Sequence, residues 1–161
     1  MSGAERDLEQ RKKVLENYKF IGMYEHFDVY YTTNRAQIRS VDFIAVRRRD
    51  NTKNFGILSV YADEDGKTEI LASVAETEKE IKISPYDKNL FDQIRREVES
   101  SPSFALGQVL NAAMYAASDM VKTDPGKSSE VREVISFIME LSADFDRTDV
   151  RNPSMPQARP S

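Results

Sequence analysis

Apolar and polar positions along this chain change their period twice. Over residues 4–19, Leu8, Val14, Leu15 and Tyr18 fall near one side of a helical projection, among Glu5, Arg6, Asp7, Glu9, Arg11, Lys12, Lys13 and Glu16. That spacing predicts an N-terminal helix with a thin apolar stripe. A helix so polar is marginal alone, so it is expected to dock by its narrow side. From Phe27 to Ile83 the helical period gives way to short runs rich in β-branched and aromatic residues. They are FDVYY (27–31), SVDFIAVRRR (40–49), FGILSVYA (55–62), KTEILASVA (67–75) and, as a short edge strand, EIKIS (80–84). TTNRAQ, DNTKN (50–54) and DEDG (63–66) separate successive runs with turn chemistry. Loops of about four or five residues make hairpins rather than parallel crossovers, which predicts an antiparallel sheet. FIAV and ILSVYA are nearly continuous apolar runs and read as central strands, buried on both faces or covered by helices on one.

The helical period returns near residue 84. Ser84 as N-cap, Pro85 at the first helical position and Asp87 reaching back predict a helix over 85–99, with Leu90, Ile94 and Val98 at spacing four beside Tyr86 and Phe91. Ser101 and Pro102 start the next helix in the same way. Its body, FALGQVLNAAMYAASDMV (104–121), is apolar almost all round and rich in small residues, which predicts a central helix over 103–122. TDPGK (123–127) ends it, and Ser128 or Ser129 caps a third helix over 129–145 carried by Val131, Val134, Ile135, Ile138 and Leu141. Pro153, Pro156 and Pro160 mark 151–161 as a flexible tail. The order of elements predicts one α+β domain over 1–150. It comprises an N-terminal helix, an antiparallel sheet of three to five strands within 27–83, and a C-terminal group of about three helices within 85–145. The Ala-rich helix is expected on one face of the sheet with the other two beside it.

Composition narrows the chemistry. The 161 residues are 40% hydrophobic, and a chain of this length buries roughly 70% of its unfolded surface, enough for a core without staples. There is no cysteine, which excludes disulfides, Cys-based zinc sites, iron–sulfur clusters and thiol catalysis. A single histidine, His26, removes most of the remaining metal and acid–base repertoire, so no metal and no cofactor is expected. No run approaches the ~18 apolar residues of a membrane span. Acidic residues in the first twenty positions argue against a leader of signal or transit type, and cytoplasmic residence is the expectation.

Three local motifs are better explained by turns than by chemistry. Gly126-Lys127-Ser128 matches the end of a phosphate loop, but the position of the first glycine is Val121 and the segment follows a helix instead of a strand. Asp63, Glu64 and Asp65 cluster carboxylates, yet Gly66 comes fourth rather than sixth and between strands, which fits a hairpin turn and not a calcium loop. His26 sits beside Glu25 and Asp28 as a conceivable general base, with no nucleophile to complete a site.

Charge carries the most content. Residues 1–63 hold 11 Lys and Arg against 9 Asp and Glu, while residues 64–150 hold 10 against 18. Within 35–53, Arg35, Arg39, Arg47, Arg48, Arg49 and Lys53 face only Asp42 and Asp50, and nine of the 15 aromatics, including Tyr30, Tyr31 and Phe55, lie within 18–61. Arginine recognises phosphate and carboxylate in a planar, multidentate way, and interleaved aromatics can stack on a ligand. Strand alternation puts Arg47 and Arg49 on one face and Arg48 on the other, so these residues make one patch only where the strand ends or bends. The absent catalytic constellation, the polarised charge and the Pro/Arg tail point to a non-enzymatic protein–protein interaction module. Such a chain would serve as a small subunit or adaptor of a larger assembly, with those arginines and aromatics as its partner-binding face. The alternative is a binding domain for nucleic acid or a phosphorylated small molecule through the same residues. A small acid–base enzyme using Asp, Glu and Tyr is the weakest reading, and the overall acidity argues against nonspecific binding to a phosphate backbone.

Overall fold

In the computed structural model, residues 18–33, 40–47, 56–75 and 77–151 are described. Their β-branched and aromatic runs form one six-stranded antiparallel meander. β1 (Lys19–Tyr24), β2 (Phe27–Thr32), β3 (Ser40–Arg47), β4 (Gly56–Ala62), β5 (Thr68–Val74) and β6 (Lys79–Ile83) lie side by side in chain order. Helices α1 (Leu90–Glu97) and α2 (Pro102–Thr123), the single turn α3 (Lys127–Glu130) and the long α4 (Arg132–Arg151) follow.

The α+β class stands, but two details of the expectation are corrected. The sheet has six strands rather than three to five, and among the described residues no helix precedes it. Of the helix expected over 4–19 only Tyr18 and Lys19 are described: Tyr18 lies in a bend and Lys19 opens β1. The uncounted strand is β1. A bulge between Phe20 and Gly22 breaks its alternation, and its turn to β2 is Glu25-His26, without the Gly or Asn that marks a two-residue hairpin loop. Of the expected tail only Arg151 is described, as the last residue of α4.

Strand alternation sorts the two faces of the sheet. Phe27, Val29 and Tyr31 of β2, Leu58 and Val60 of β4, Ile70, Ala72 and Val74 of β5, and Ile81 and Ile83 of β6 are buried in the main core with the helices. Their neighbours Tyr30, Ile57, Ser59 and Leu71 are half-buried on the far face. β3 alone is buried on both faces, because Ile44 and Val46 form a second cluster with Tyr18, Tyr30, Ile57 and Ala75. FIAV thus behaves as the doubly buried strand its sequence suggests, whereas ILSVYA alternates. The DEDG hairpin closes through Asp63, whose Oδ1 accepts from the backbone N–H of Asp65 (2.9 Å) and of Lys67 (2.8 Å), while Gly66 takes φ +83°.

α1 packs on β3, β4 and β5, α4 on β5, β6 and β1, and α2 meets the sheet mainly along β1 and β6. These last two are opposite edges, so the sheet curls around its helices. α2 therefore wedges between α1 and α4 and does not lie flat on the sheet as expected. Its small buried residues Ala105, Ala113 and Ala117 suit helix-to-helix contact.

α1 starts at Leu90, later than the Ser84-Pro85 signal predicts, because a tertiary contact sets its first turn. Thr68 Oγ1, buried at the start of β5, donates to the Lys88 carbonyl (2.8 Å) and accepts from the Phe91 N–H (2.8 Å). Valine has the same shape and leaves both backbone groups without that partner. Thr68→Val is expected to lower the unfolding free energy by about 1–3 kcal/mol in urea titration, with Thr68→Ser closer to wild type. A Thr68→Val protein as stable as wild type would show that α1 is anchored otherwise.

Candidate functional site

Most of the expected arginine face lies outside the described residues. Arg35 and Arg39 belong to the β2–β3 connection, and Arg48, Arg49, Lys53 and Phe55 to the β3–β4 connection; all six lie outside the described residues, as does the side chain of Arg47. The two connections are anchored at opposite ends of β3, Ser40 and Arg47, roughly 23 Å apart along an extended strand. Tyr31 faces the helices and is 4% exposed, while Tyr30 is half-buried on the far face with its ring edge-on to Phe20 at 5.3 Å.

At the Ser40 end of the sheet lies a polar cleft of about 460 Å3 lined by Thr33, Asp92, Arg95, Arg96 and Glu99. Glu99 is engaged by Lys19 Nζ at 3.0 Å and by Thr33 Oγ1 at 3.4 Å, with the Tyr31 hydroxyl at 3.5 Å. Burial, and then the Glu99 charge, hold the Tyr31 hydroxyl above its ordinary value, and the hydrogen bond to Glu99 raises Lys19. Both ends of the Lys19–Glu99 bridge are exposed, so it contributes little to stability. Among the described residues, two arginines and two carboxylates line the cleft.

The opposite end of the sheet holds His26. Its partner is Asp144 of α4, 118 residues away, instead of the adjacent Glu25 or Asp28. Asp144 is 0% exposed; its Oδ2 accepts from the His26 backbone N–H at 2.6 Å, its Oδ1 lies 3.0 Å from His26 Nδ1, and Arg147 donates to Oδ1 at 2.6 Å. Arg147 Nε also donates to Glu25 Oε1 at 2.8 Å. A carboxylate-oriented imidazole can move a proton, but no described nucleophile bonds to this one. The group clamps the β1–β2 turn onto α4.

The other sequence motifs are structural. Lys127 starts α3 and Ser128 Oγ donates to the Pro125 carbonyl at 2.9 Å, which makes DPGKSS an interhelical turn. Among the described residues no three His, Asp or Glu side chains converge to hold a metal ion, and no helix is long and apolar enough to cross a membrane.

The outer side of the helical layer is different in kind. Tyr86 (85%), Tyr115 (68%), Phe104 (55%) and Met139 (52%) are large apolar side chains left in water. Two troughs flank the outer ridge of α2. The first, about 370 Å3, runs between α2 and the segment before α1 and is lined by Pro85, Tyr86, Leu90, Ala112, Tyr115 and Ala116 together with Asp87, Asp119 and Lys122. The second, about 250 Å3, runs between α2 and α4 and is lined by Met114, Ala117, Val121, Ile135, Ile138 and Met139. Ser118 lines both.

Comparisons with known protein families, curated proteins and solved structures find no match for this chain. The reading therefore rests on geometry alone. Sequence reasoning missed this face because 104–121 looks apolar all round. A finer signal was present: Asn111, Tyr115, Ser118 and Lys122 repeat at three and four residue spacings, with Phe104 two turns before Asn111, apart from the buried Leu106, Val109, Leu110, Ala113 and Ala117. The polar members of the first set mark it as the outer stripe.

Proposed function

We propose that this protein is a non-enzymatic docking subunit, cytoplasmic as a cysteine-free chain permits, whose outer helical face receives another protein surface. The observation that carries the proposal is the pair of adjoining apolar troughs about α2, bordered by exposed Tyr86, Tyr115 and Met139. Large exposed apolar patches with polar rims are where protein partners bind, and aromatic side chains dominate the energy of such contacts. Among the described residues, Tyr86, Tyr115 and Met139 stand outside the hydrophobic core and the residues packed against it.

Native mass spectrometry of the protein gently purified from its source cells tests this. Added protein mass is expected on the wild type, lost on Tyr115→Glu or Met139→Glu, and kept on Met23→Glu, which alters an exposed residue of β1. Retention that ignores both helical variants would overturn the reading. A retained mass of nucleotide size would also overturn it, in favour of an anion site among Arg95, Arg96 and the arginines of the connections.

A further inference from the structure

The chain holds six methionines and no cysteine, so the thioether is its only readily oxidised sulfur. Two of the described methionines stand more than half in water, Met139 of α4 at 52% and Met23 of β1 at 59%, whereas Met114 and Met120 of α2 are half-buried. Met23 lies opposite Asp28 of β2. Met139 has a different setting. It lines the trough between α2 and α4 with Met114, Val121, Ile135 and Ile138, where Ser118 carries the one hydroxyl among the described lining residues. α4 holds the core through Ile138 and Leu141, 0% and 1% exposed, and leaves Met139 at the surface.

Leucine would serve a surface that needs only to stay apolar. Methionine is the apolar side chain that an oxidant makes polar. A sulfur lone pair attacks one oxygen of hydrogen peroxide and the O–O bond breaks. The hydroxide that departs takes the proton of the oxygen left on sulfur and becomes water. The thioether is thus oxidised by two electrons to a sulfoxide while the peroxide is reduced, and a thiol-dependent sulfoxide reductase restores the thioether. On the free chain the new oxygen is solvated, so the fold is kept. Under a docked partner it has only the Ser118 hydroxyl as a donor within the described lining, and burying an acceptor without a donor is unfavourable. We infer that Met139 is an oxidation site that switches the docking face off. Peroxide reaches it on the unoccupied chain, and the sulfoxide then keeps a partner from seating between α2 and α4. The inference rests on the docking reading above and adds its regulation.

The test treats the purified full-length chain with hydrogen peroxide, maps the oxidised peptides by mass, and returns the chain to an untreated extract of its source cells before native mass spectrometry. Met139 and Met23 are expected to gain one oxygen several-fold faster than Met114 and Met120, with the circular dichroism spectrum unchanged. The oxidised wild type should recover about tenfold less partner mass than the untreated chain. Oxidised Met23→Leu should lose it equally, while oxidised Met139→Leu, whose trough stays apolar, should recover as much as untreated protein. Full recovery by the oxidised wild type overturns the inference. So does equal loss in Met139→Leu, oxidation of Met139 no faster than that of Met114, or unfolding on oxidation. If the untreated chain recovers partner mass that depends on Tyr115 while oxidation changes nothing, the switch fails and the docking reading stands. If the untreated chain recovers no mass, or mass indifferent to Tyr115→Glu and Met139→Glu, both fail.

Discussion

Asp144→Ala is expected to lower the unfolding free energy by about 2–4 kcal/mol and to open the β1–β2 turn. The carboxylate is wholly buried and accepts from the His26 backbone N–H, from His26 Nδ1 and from Arg147. Hydrogen bonds to a charged group contribute more than neutral ones, and removing one side of a buried charged cluster leaves its partners without compensation. The figure stays below the largest known for such losses because Arg147 and the His26 ring reach water and can be solvated there. The backbone N–H of His26 is the group with most to lose. Urea titration measures the stability, and amide hydrogen exchange at His26 locates the effect: slow in the wild type and fast in the variant. Asp144→Asn keeps an acceptor and should fall between. An Asp144→Ala protein within about 0.5 kcal/mol of wild type would mean that the turn is held by sheet pairing alone.

The second large effect lies where α4 meets the centre of the sheet. Val29, Ala45, Gly56 and Val74 stand side by side across β2 to β5, and the two smallest of them adjoin at Ala45 and Gly56. Phe137 of α4 sits over Gly56, with its ring edge-on to Phe27 at 5.9 Å. A Cβ added at Gly56 would come 2.6 Å from Cε1 and Cε2 of Phe137, so ring or strand must move. Gly56→Ala is expected to cost about 1–3 kcal/mol by overpacking, against the small gain a strand normally draws from replacing glycine. Phe137→Ala should cost about 3–5 kcal/mol by leaving a cavity. The double variant should cost clearly less than the sum, because the new methyl occupies space the ring vacated, with a coupling of roughly 1 kcal/mol or more. Strict additivity in urea titration would show that the two residues do not compete for that space.

Most of the chain's local structure was legible before its fold. The runs at 27–31, 40–49, 55–62, 67–75 and 80–84 correspond to β2 to β6, because period-two burial and turn residues leave a direct mark on composition. The strand that escaped, β1, has a bulge where alternation should be and Glu25-His26 where a turn signal should be. Helix α1 began late because Thr68, far off in sequence, fixed its first turn. Of the arginine site singled out in the sequence, Tyr30, Tyr31 and the backbone of Arg47 lie within the described residues. The outer face of α2 was present as a faint polar stripe, outweighed by the apolar content of the helix as a whole.

The sequence by itself determined the α+β class, the antiparallel sense of the sheet from its short loops, and the exclusion of cysteine chemistry. Each depends on neighbours in the chain or on composition, and needs no knowledge of what lies across the core. The tertiary structure decided the sixth strand, the curl that brings both sheet edges to the same helices, the burial of Asp144 beneath His26 and the side of α2 left in water. Each of these depends on contacts between residues many positions apart, such as the 118 between His26 and Asp144, and no local period in the sequence records them.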